Sequence, residues 1–263
     1  MAANGRGRFV WYELMTTDPE AAKKFYTDVV GWGTAPFEGA VGMEYTMWLK
    51  GKTPDTAIGG LMELPAEARQ GGVPPHWLGY VAVPDVDAAA KRAEKLGGRI
   101  VHGPEDIPQV GRFAILADPQ GAALAAFKGA QEMASEDKDP DTGDVSWHEL
   151  ATTDHEAAFD FYSDLFGWEQ QQAMDMGEAG VYQMYGRGEK MLGGMYNKTD
   201  GQPGPPAWLY YSVVNDLDGA VKKVKKNGGR IVVEPMEVPG GSRVAVGIDP
   251  QGAAFGLHEL ARS

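Results

Sequence analysis

Two stretches of this chain spell nearly the same words. WYELMTTDPEAAKKFYTDVVGW at 11–32 and WHELATTDHEAAFDFYSDLFGW at 147–168 agree at 14 of 22 positions. The repetition goes on. PPHWLGYVAVPDVDAA (74–89) matches PPAWLYYSVVNDLDGA (205–220), GGRIV stands at 97–101 and at 228–232, and ADPQGAALAAF (117–127) matches IDPQGAAFGLH (248–258). The offset shrinks only from 136 to 131 residues, so short loop changes separate the copies. Self-similarity on this scale dictates a tandem duplication of one folding unit.

The copies are expected to span residues 8–128 and 144–260, joined by 129–143. That joint, with GAQEMASEDKDPDTGD around it, is acidic, rich in small residues and aperiodic, as an exposed linker should be.

Each copy divides again. Residues 9–16 alternate as a strand does, with Trp11 and Glu13 on one face and Tyr12 and Leu14 on the other. Asp18 offers a helix N-cap, Pro19 suits the first helical position, and Ala22, Phe25, Tyr26 and Val29 recur at helical spacing before Gly31. Strand-like segments follow at 32–37, 43–50 and 57–63. The second half repeats the plan: strand Trp77–Val83, an Asp85 cap, a helical stripe from Val86 to Leu96, then strands at 98–102, 111–117 and 122–127 with DPQG as a tight turn. The expected class is therefore α+β, with four βαβββ modules. One helix per four strands covers one sheet face, so two curved mixed sheets with concave cups are expected, the natural form of a small-molecule site.

Composition removes several function classes. The net charge of −13 repels phosphate backbones, so nucleic acid is not expected as a partner. With no cysteine, the chain can form no disulfide, thiolate metal site or thiol nucleophile, in keeping with a reducing cytoplasm. MAANGRGRF lacks an apolar signal-peptide core, and no apolar run approaches a membrane span. No GxSxG elbow, P-loop or GxGxxG is present. The expected partner is a small organic molecule, bound by a monomer or a homodimer.

The fourfold module, the strand–TD–EAA–FY–GW pattern and the closing DPQG turn resemble the vicinal-oxygen-chelate superfamily of glyoxalases, bleomycin-resistance proteins and extradiol dioxygenases. W-x-E-L-x-T-T-D…FY…GW with IGGL, P-x-W and DPQGA resembles its two-domain glyoxalase-like subgroup, whose members carry hydroxylase or antigen labels. The resemblance covers residues 8–127 and 144–260. It implies a metal site whose ligands would stand at Trp11 or Trp147, at Leu78 or Leu209, at Ala125 or Gly256, and near Gly59-Gly60 or Gly193-Gly194. None of these side chains binds a metal. The metal and cofactor are thus left unknown, with the usual divalent-metal ligands absent.

Strand alternation sets Glu13 and Glu149 into the cups, walled by Trp11 and Trp147, while His148 of WHEL shares the helix-side face with Leu150. A carboxylate in an aromatic-lined concavity suits a general base or an anchor, so Glu13 and Glu149 are the candidate catalytic residues. The alternative is a glutamate paired with Arg112 or Arg243 as a brace, and those arginines are counted among the binding candidates. Tyr80 and Tyr211 share the cup face, whereas Trp77 and Trp208 alternate with them and fit a core. His76 and His258 also fall on that face and complete the binding set. Two functions remain open: a glyoxalase-like lyase, isomerase or hydroxylase, and a sequestering protein for a planar, cationic metabolite or antibiotic. A metal-dependent enzyme with ligands displaced onto these histidines and glutamates is a third variant.

Overall fold

Asp18, Asp85, Asp154 and Asp216 each turn a strand into a helix by accepting a backbone N–H three residues on, at 3.0, 2.9, 3.0 and 2.9 Å. The computed structural model of the protein describes residues 5–39, 43–131 and 138–261. Four modules follow one another. The first is β1 (Phe9–Thr16), α1 (Pro19–Val29), β2 (Gly33–Pro36), β3 (Tyr45–Leu49) and β4 (Ala57–Glu63), followed by a short helix, α2 (Ala66–Gln70). The second is β5 (His76–Ala82), α3 (Val86–Lys95), β6 (Arg99–Ile107), β7 (Gly111–Ala117) and β8 (Ala123–Gly129). The third is β9 (Val145–Thr152), α4 (His155–Phe166), β10 (Glu169–Asp175), β11 (Val181–Arg187) and β12 (Lys190–Asn197). The fourth is β13 (Ala207–Val213), α5 (Leu217–Lys226), β14 (Arg230–Glu237), β15 (Arg243–Ile248) and β16 (Ala254–Glu259). Sequence periodicity missed the short α2 and the single 3-10 turns at Pro54–Thr56 and Gly177–Ala179, and it stopped β6 at 102 where the strand runs to Ile107.

The strands form two mixed eight-stranded sheets of identical topology, β2-β3-β4-β1-β5-β8-β7-β6 and β10-β11-β12-β9-β13-β16-β15-β14. In each module the first and last strands pair in parallel, with Glu13 opposite Gly60 and Glu149 opposite Gly194. The fold is thus the α+β duplication expected from the repeat.

Compactness does not follow the repeat. Modules two and three form one compact unit and modules one and four the other. A buried triad inside each explains why. In the 1–4 unit, the Trp77 indole N–H donates to the Tyr26 hydroxyl at 3.0 Å, and that hydroxyl donates to Asp249 Oδ2 at 3.0 Å. In the 2–3 unit, Trp208 donates to Tyr162 at 3.1 Å and Tyr162 to Asp118 at 3.1 Å. The other carboxylate oxygen of each aspartate receives the backbone N–H groups of its own DPQGA turn, at 2.8–2.9 Å. So FY, P-x-W and DPQGA, which lie far apart in sequence, are one polar knot, and each tyrosine reaches the aspartate of the other copy. Aromatic rings fill the space around it: Phe25 and Phe255 around Tyr26, Phe161 and Trp168 around Tyr162. Trp77 and Trp208 are core residues, as their alternation indicated.

The segment between the copies is not wholly a solvated tether. Residues 132–137 lie outside the described residues, but Gly143 is bound: it donates to the Val213 carbonyl at 2.9 Å and accepts from the buried Trp32 indole at 2.8 Å. A buried indole N–H needs an acceptor, and this backbone supplies it.

Candidate functional site: a duplicated Trp–Tyr–Glu relay

On β1, Trp11 and Glu13 project from the same face, and Tyr45 of β3 lies between them. The Trp11 indole N–H donates to the Tyr45 hydroxyl at 2.9 Å, and the hydroxyl donates to Glu13 Oε1 at 2.8 Å. The third module builds the same relay in the 2–3 unit. Trp147 donates to Tyr182 at 2.8 Å and Tyr182 to Glu149 Oε2 at 2.9 Å. Each phenol receives the indole proton on its oxygen, so its own proton is directed to the carboxylate. Burial first, and the neighbouring glutamate second, push the Tyr45 and Tyr182 hydroxyls well above their ordinary range. They therefore remain protonated donors.

The glycine pairs make the relay possible. A Cβ on Gly60 would collide with the Tyr45 ring and hydroxyl, and one on Gly194 with the Tyr182 ring. The first glycine of each pair, Gly59 or Gly193, admits instead the carbonyl of Tyr12 or His148 on the neighbouring strand. IGGL and LGGM thus combine a close strand approach with a floor on which a tyrosine lies flat. Strand alternation singled out the tryptophans and glutamates but missed Tyr45 and Tyr182. The signal was there in Y-x-M-[WY], which occurs at 45–48 and at 182–185.

The two relays differ in their surroundings. Glu13 is 7% exposed, whereas Glu149 is half-buried. Tyr196 stacks beside Tyr182, ring centroids 5.9 Å apart and 20° between planes, and its hydroxyl accepts from Gln202 at 2.9 Å. Met62 occupies the equivalent register position in the other relay.

His148 stands apart from this chemistry. It is buried, its Nδ1 lies 2.6 Å from the Leu192 carbonyl, and its ring stacks on Phe9 at 3.7 Å and 5°. A carbonyl only accepts, so Nδ1 carries the proton. Burial lowers its pKa to about 4, against the smaller effect of that hydrogen bond.

Arg112 and Arg243 do not brace the glutamates. Arg112 forks onto Asp87 in the first turn of α3 at 2.8 and 2.9 Å and reaches Asp106 at 2.9 Å. Arg243 holds Asp218 in the first turn of α5 at 3.0 and 3.1 Å and Glu259 at 3.2 Å. Each latches a helix start to its own module's sheet. Tyr80 is buried against Phe113 and Phe127, and the Tyr211 ring fills the space a Cβ on Gly256 would need. The His76 Nδ1 sits 2.8 Å from the Pro74 carbonyl, and burial lowers its pKa. His258 Nδ1 is 2.7 Å from the Ser146 hydroxyl. The structure thus brings Trp11 to Glu13 and Trp147 to Glu149, and leaves the arginines in separate clusters. A cleft of about 190 Å³ lined by Asp141, Val213, Asn215 and Glu259 includes none of the relay residues.

The positions at which a family metal would be held do not fit one. The indoles of Trp11 and Trp147 are engaged with tyrosines, and the space above Gly60 and Gly194 is filled by phenol rings. Leu78 and Ala125 are buried apolar groups, and the Tyr211 ring covers Gly256. Among the described residues no group of three or more His, Cys, Asp or Glu is placed to hold an ion. Nor is any helix among them long and apolar enough to cross a membrane.

Comparison with known proteins agrees with this architecture. The family model described as Glyoxalase/Bleomycin resistance protein/Dioxygenase superfamily matches twice, at residues 8–125 and 145–257. A Mycobacterium tuberculosis protein named "Putative glyoxylase CFP32" is 33% identical over 94% of this chain and 92% of its own length. The anthracycline biosynthesis protein DnrV of Streptomyces peucetius is 32% identical over 97% of this chain and 94% of its own. Among solved structures, the Mn(II)-bound glyoxalase of Novosphingobium aromaticivorans superposes with a TM-score of 0.63 at 17% identity, over all of this chain and 84% of the other. At that identity the likeness is one of fold.

Proposed function

The chain belongs to the Glyoxalase/Bleomycin resistance protein/Dioxygenase superfamily, and from that premise we propose that it binds and transforms a small organic molecule at its two glutamates, without the metal donor set implied by the resemblance. The observation that carries this reading is the relay built twice, Trp11–Tyr45–Glu13 and Trp147–Tyr182–Glu149. A tyrosine that can only donate orients one carboxylate oxygen and screens its charge. That is the preorganisation a general base needs. In the proposed step the carboxylate takes a proton from the bound molecule and either returns it at a second position, as an isomerase requires, or hands it to the group expelled from the neighbouring atom, as a lyase requires. Trp147, Tyr182 and Tyr196 would flank the ligand in the 2–3 unit, where the carboxylate is the less buried of the two. We further read the protein as cytoplasmic, a monomer or homodimer, with repeat boundaries at 8–128 and 144–260.

The names of the relatives supply two probe classes: 2-oxoaldehydes and anthracycline-type aromatic polyketides. Glu13→Gln and Glu149→Gln keep the shape and the acceptor for tyrosine but remove the base. Turnover should fall about 10²–10⁴-fold in at least one variant, while affinity, followed by tryptophan fluorescence, changes little. If the wild type binds a probe without converting it and the variants bind it weakly, the protein is a sequestering one. Unchanged turnover and affinity in both variants would remove the glutamates from the site.

A further inference from the structure

The two relays part at one position. Tyr196 of β12 stands opposite Tyr182 on one side and Ala151 on the other, so it shares the face of Glu149 and lies one step diagonal to it. Met62 takes the same place in β4, opposite Tyr45 and Met15. A thioether has no proton to donate, whereas a phenol has one.

The loop after β12 reaches back to this phenol. It places Gln202 so that its Nε2–H donates to the Tyr196 hydroxyl oxygen at 2.9 Å. Gly201 and Gly204 supply the positive φ angles of the loop, 90° and 83°, the Gln202 backbone N–H donates to the Thr199 carbonyl at 3.1 Å, and the Lys198 ammonium donates to the Gly204 carbonyl. Copy one continues instead through Leu64 into α2.

The protons can be followed through this corner. Tyr182 commits its own to Glu149 Oε2. Tyr196 receives one from Gln202, and that is its only hydrogen bond among the described residues, so its own proton is directed elsewhere. Burial first, and the charge of Glu149 second, raise the Tyr196 pKa against the smaller effect of Gln202, and the hydroxyl stays protonated. Glu149, Tyr182, Tyr196 and Gln202 each keep part of their surface open to solvent, so a small molecule reaches this corner from outside.

We infer that Tyr196, held by Gln202, is the specificity residue of the Glu149 site, its hydroxyl donating to a carbonyl oxygen of the bound molecule. This rests on the proposed function in taking Glu149 to lie at the ligand site. A neutral carbonyl fits because it accepts one hydrogen bond and brings no charge; an anion would face the Glu149 carboxylate on a chain of net charge −13. The Met62 corner of the other relay lacks this donor, so the preference belongs to the 2–3 unit alone.

The test titrates the full chain, labelled with ¹³C in its tyrosine rings, with 1-indanone and with indane, which differs only in lacking the carbonyl. The quantity read is the ratio of the two dissociation constants. Tyr196→Phe should shift it about tenfold against the ketone, the worth of one hydrogen bond, and leave indane within about twofold. Gln202→Glu should shift it in the same sense with the ring still in place, because a carboxylate takes the phenol proton for itself. A merely structural glutamine would lower the melting temperature in that variant and leave the ratio as it was. Met62→Leu should leave both affinities unchanged. Binding of neither probe, a ratio that survives Tyr196→Phe or Gln202→Glu, or one that moves in Met62→Leu overturns the inference. Turnover of the Glu13→Gln and Glu149→Gln variants keeps the two readings apart. Turnover lost there with a ratio indifferent to Tyr196 sinks only the specificity residue, and a ratio set by Tyr196 with turnover intact in both sinks only the general base.

Discussion

Replacing His148 with tyrosine, the residue that Tyr12 supplies at the same place in copy one, should remove the part of the protein's acid sensitivity that this buried imidazole carries. In the native protein the imidazole is buried on Phe9 and titrates near 4 instead of 6.5. The folded pKa is depressed below the unfolded one, so the unfolded chain binds the proton more readily between those values. Stability from this group is fully present above about pH 6.5 and is lost as pH falls toward 4. At ~1.36 kcal/mol per pKa unit, the whole loss is about 3 kcal/mol, and about 2 kcal/mol is gone by pH 5. For a chain of this size that corresponds to a fall of roughly 4–8 °C in melting temperature between pH 8 and pH 5. His76 and His258 act in the same direction. Asp118 and Asp249, raised by burial, act in the opposite one: their ionisation as pH rises costs stability. Wild type and His148→Tyr share all four groups, so the difference between their calorimetric profiles isolates His148. The two curves should converge on acidification if the variant carries a fixed packing penalty, and diverge in its favour if it does not. Parallel curves from pH 8 to pH 4.5 would refute the reasoning, as would an NMR titration of the His148 ring with a midpoint near 6.5.

Other expectations are sharp enough to test. Asp249→Asn should cost about 1–2 kcal/mol more than Asp118→Asn by denaturant unfolding, since the Tyr162 hydroxyl lies 3.2 Å from the Ala122 carbonyl as an alternative acceptor and Tyr26 has Asp249. Equal losses would show that the Ala122 carbonyl does not substitute. Gly194→Ala should drive Tyr182 off its floor and uncouple Glu149, changing the Trp147 fluorescence and any ligand affinity, while Gly60→Ala should disturb only the Trp11 relay. Spectra and affinities unchanged by Gly194→Ala would mean that the ring position does not matter.

The outcome for each residue follows the range of the interaction behind it. Helix starts were readable because a capping aspartate and the N–H it receives are three residues apart. Strand faces were readable because side chains alternate with period two, which set Trp11 beside Glu13 and kept His148 with Leu150 in the core. The alternative in which Arg112 or Arg243 braces a glutamate could not be decided from alternation, which says nothing of lateral distance; the guanidinium groups meet Asp87 and Asp218 instead. Tyr45 was missed because its partner lies 32 residues away, across a glycine that looks like a turn residue in isolation.

The sequence by itself determined the duplication, the fourfold module, the helix caps and the strand face that Glu13 shares with Trp11 and Glu149 with Trp147, since repetition and local periodicity need no knowledge of long-range contacts. Only the tertiary structure decided that FY, P-x-W and DPQGA are one buried Trp–Tyr–Asp knot, that each compact unit draws one module from each copy, and that a glycine floor lets a tyrosine orient each carboxylate. Those features arise from hydrogen bonds and ring packing between residues as many as 223 positions apart, which the chain brings within 3 Å only when it is folded.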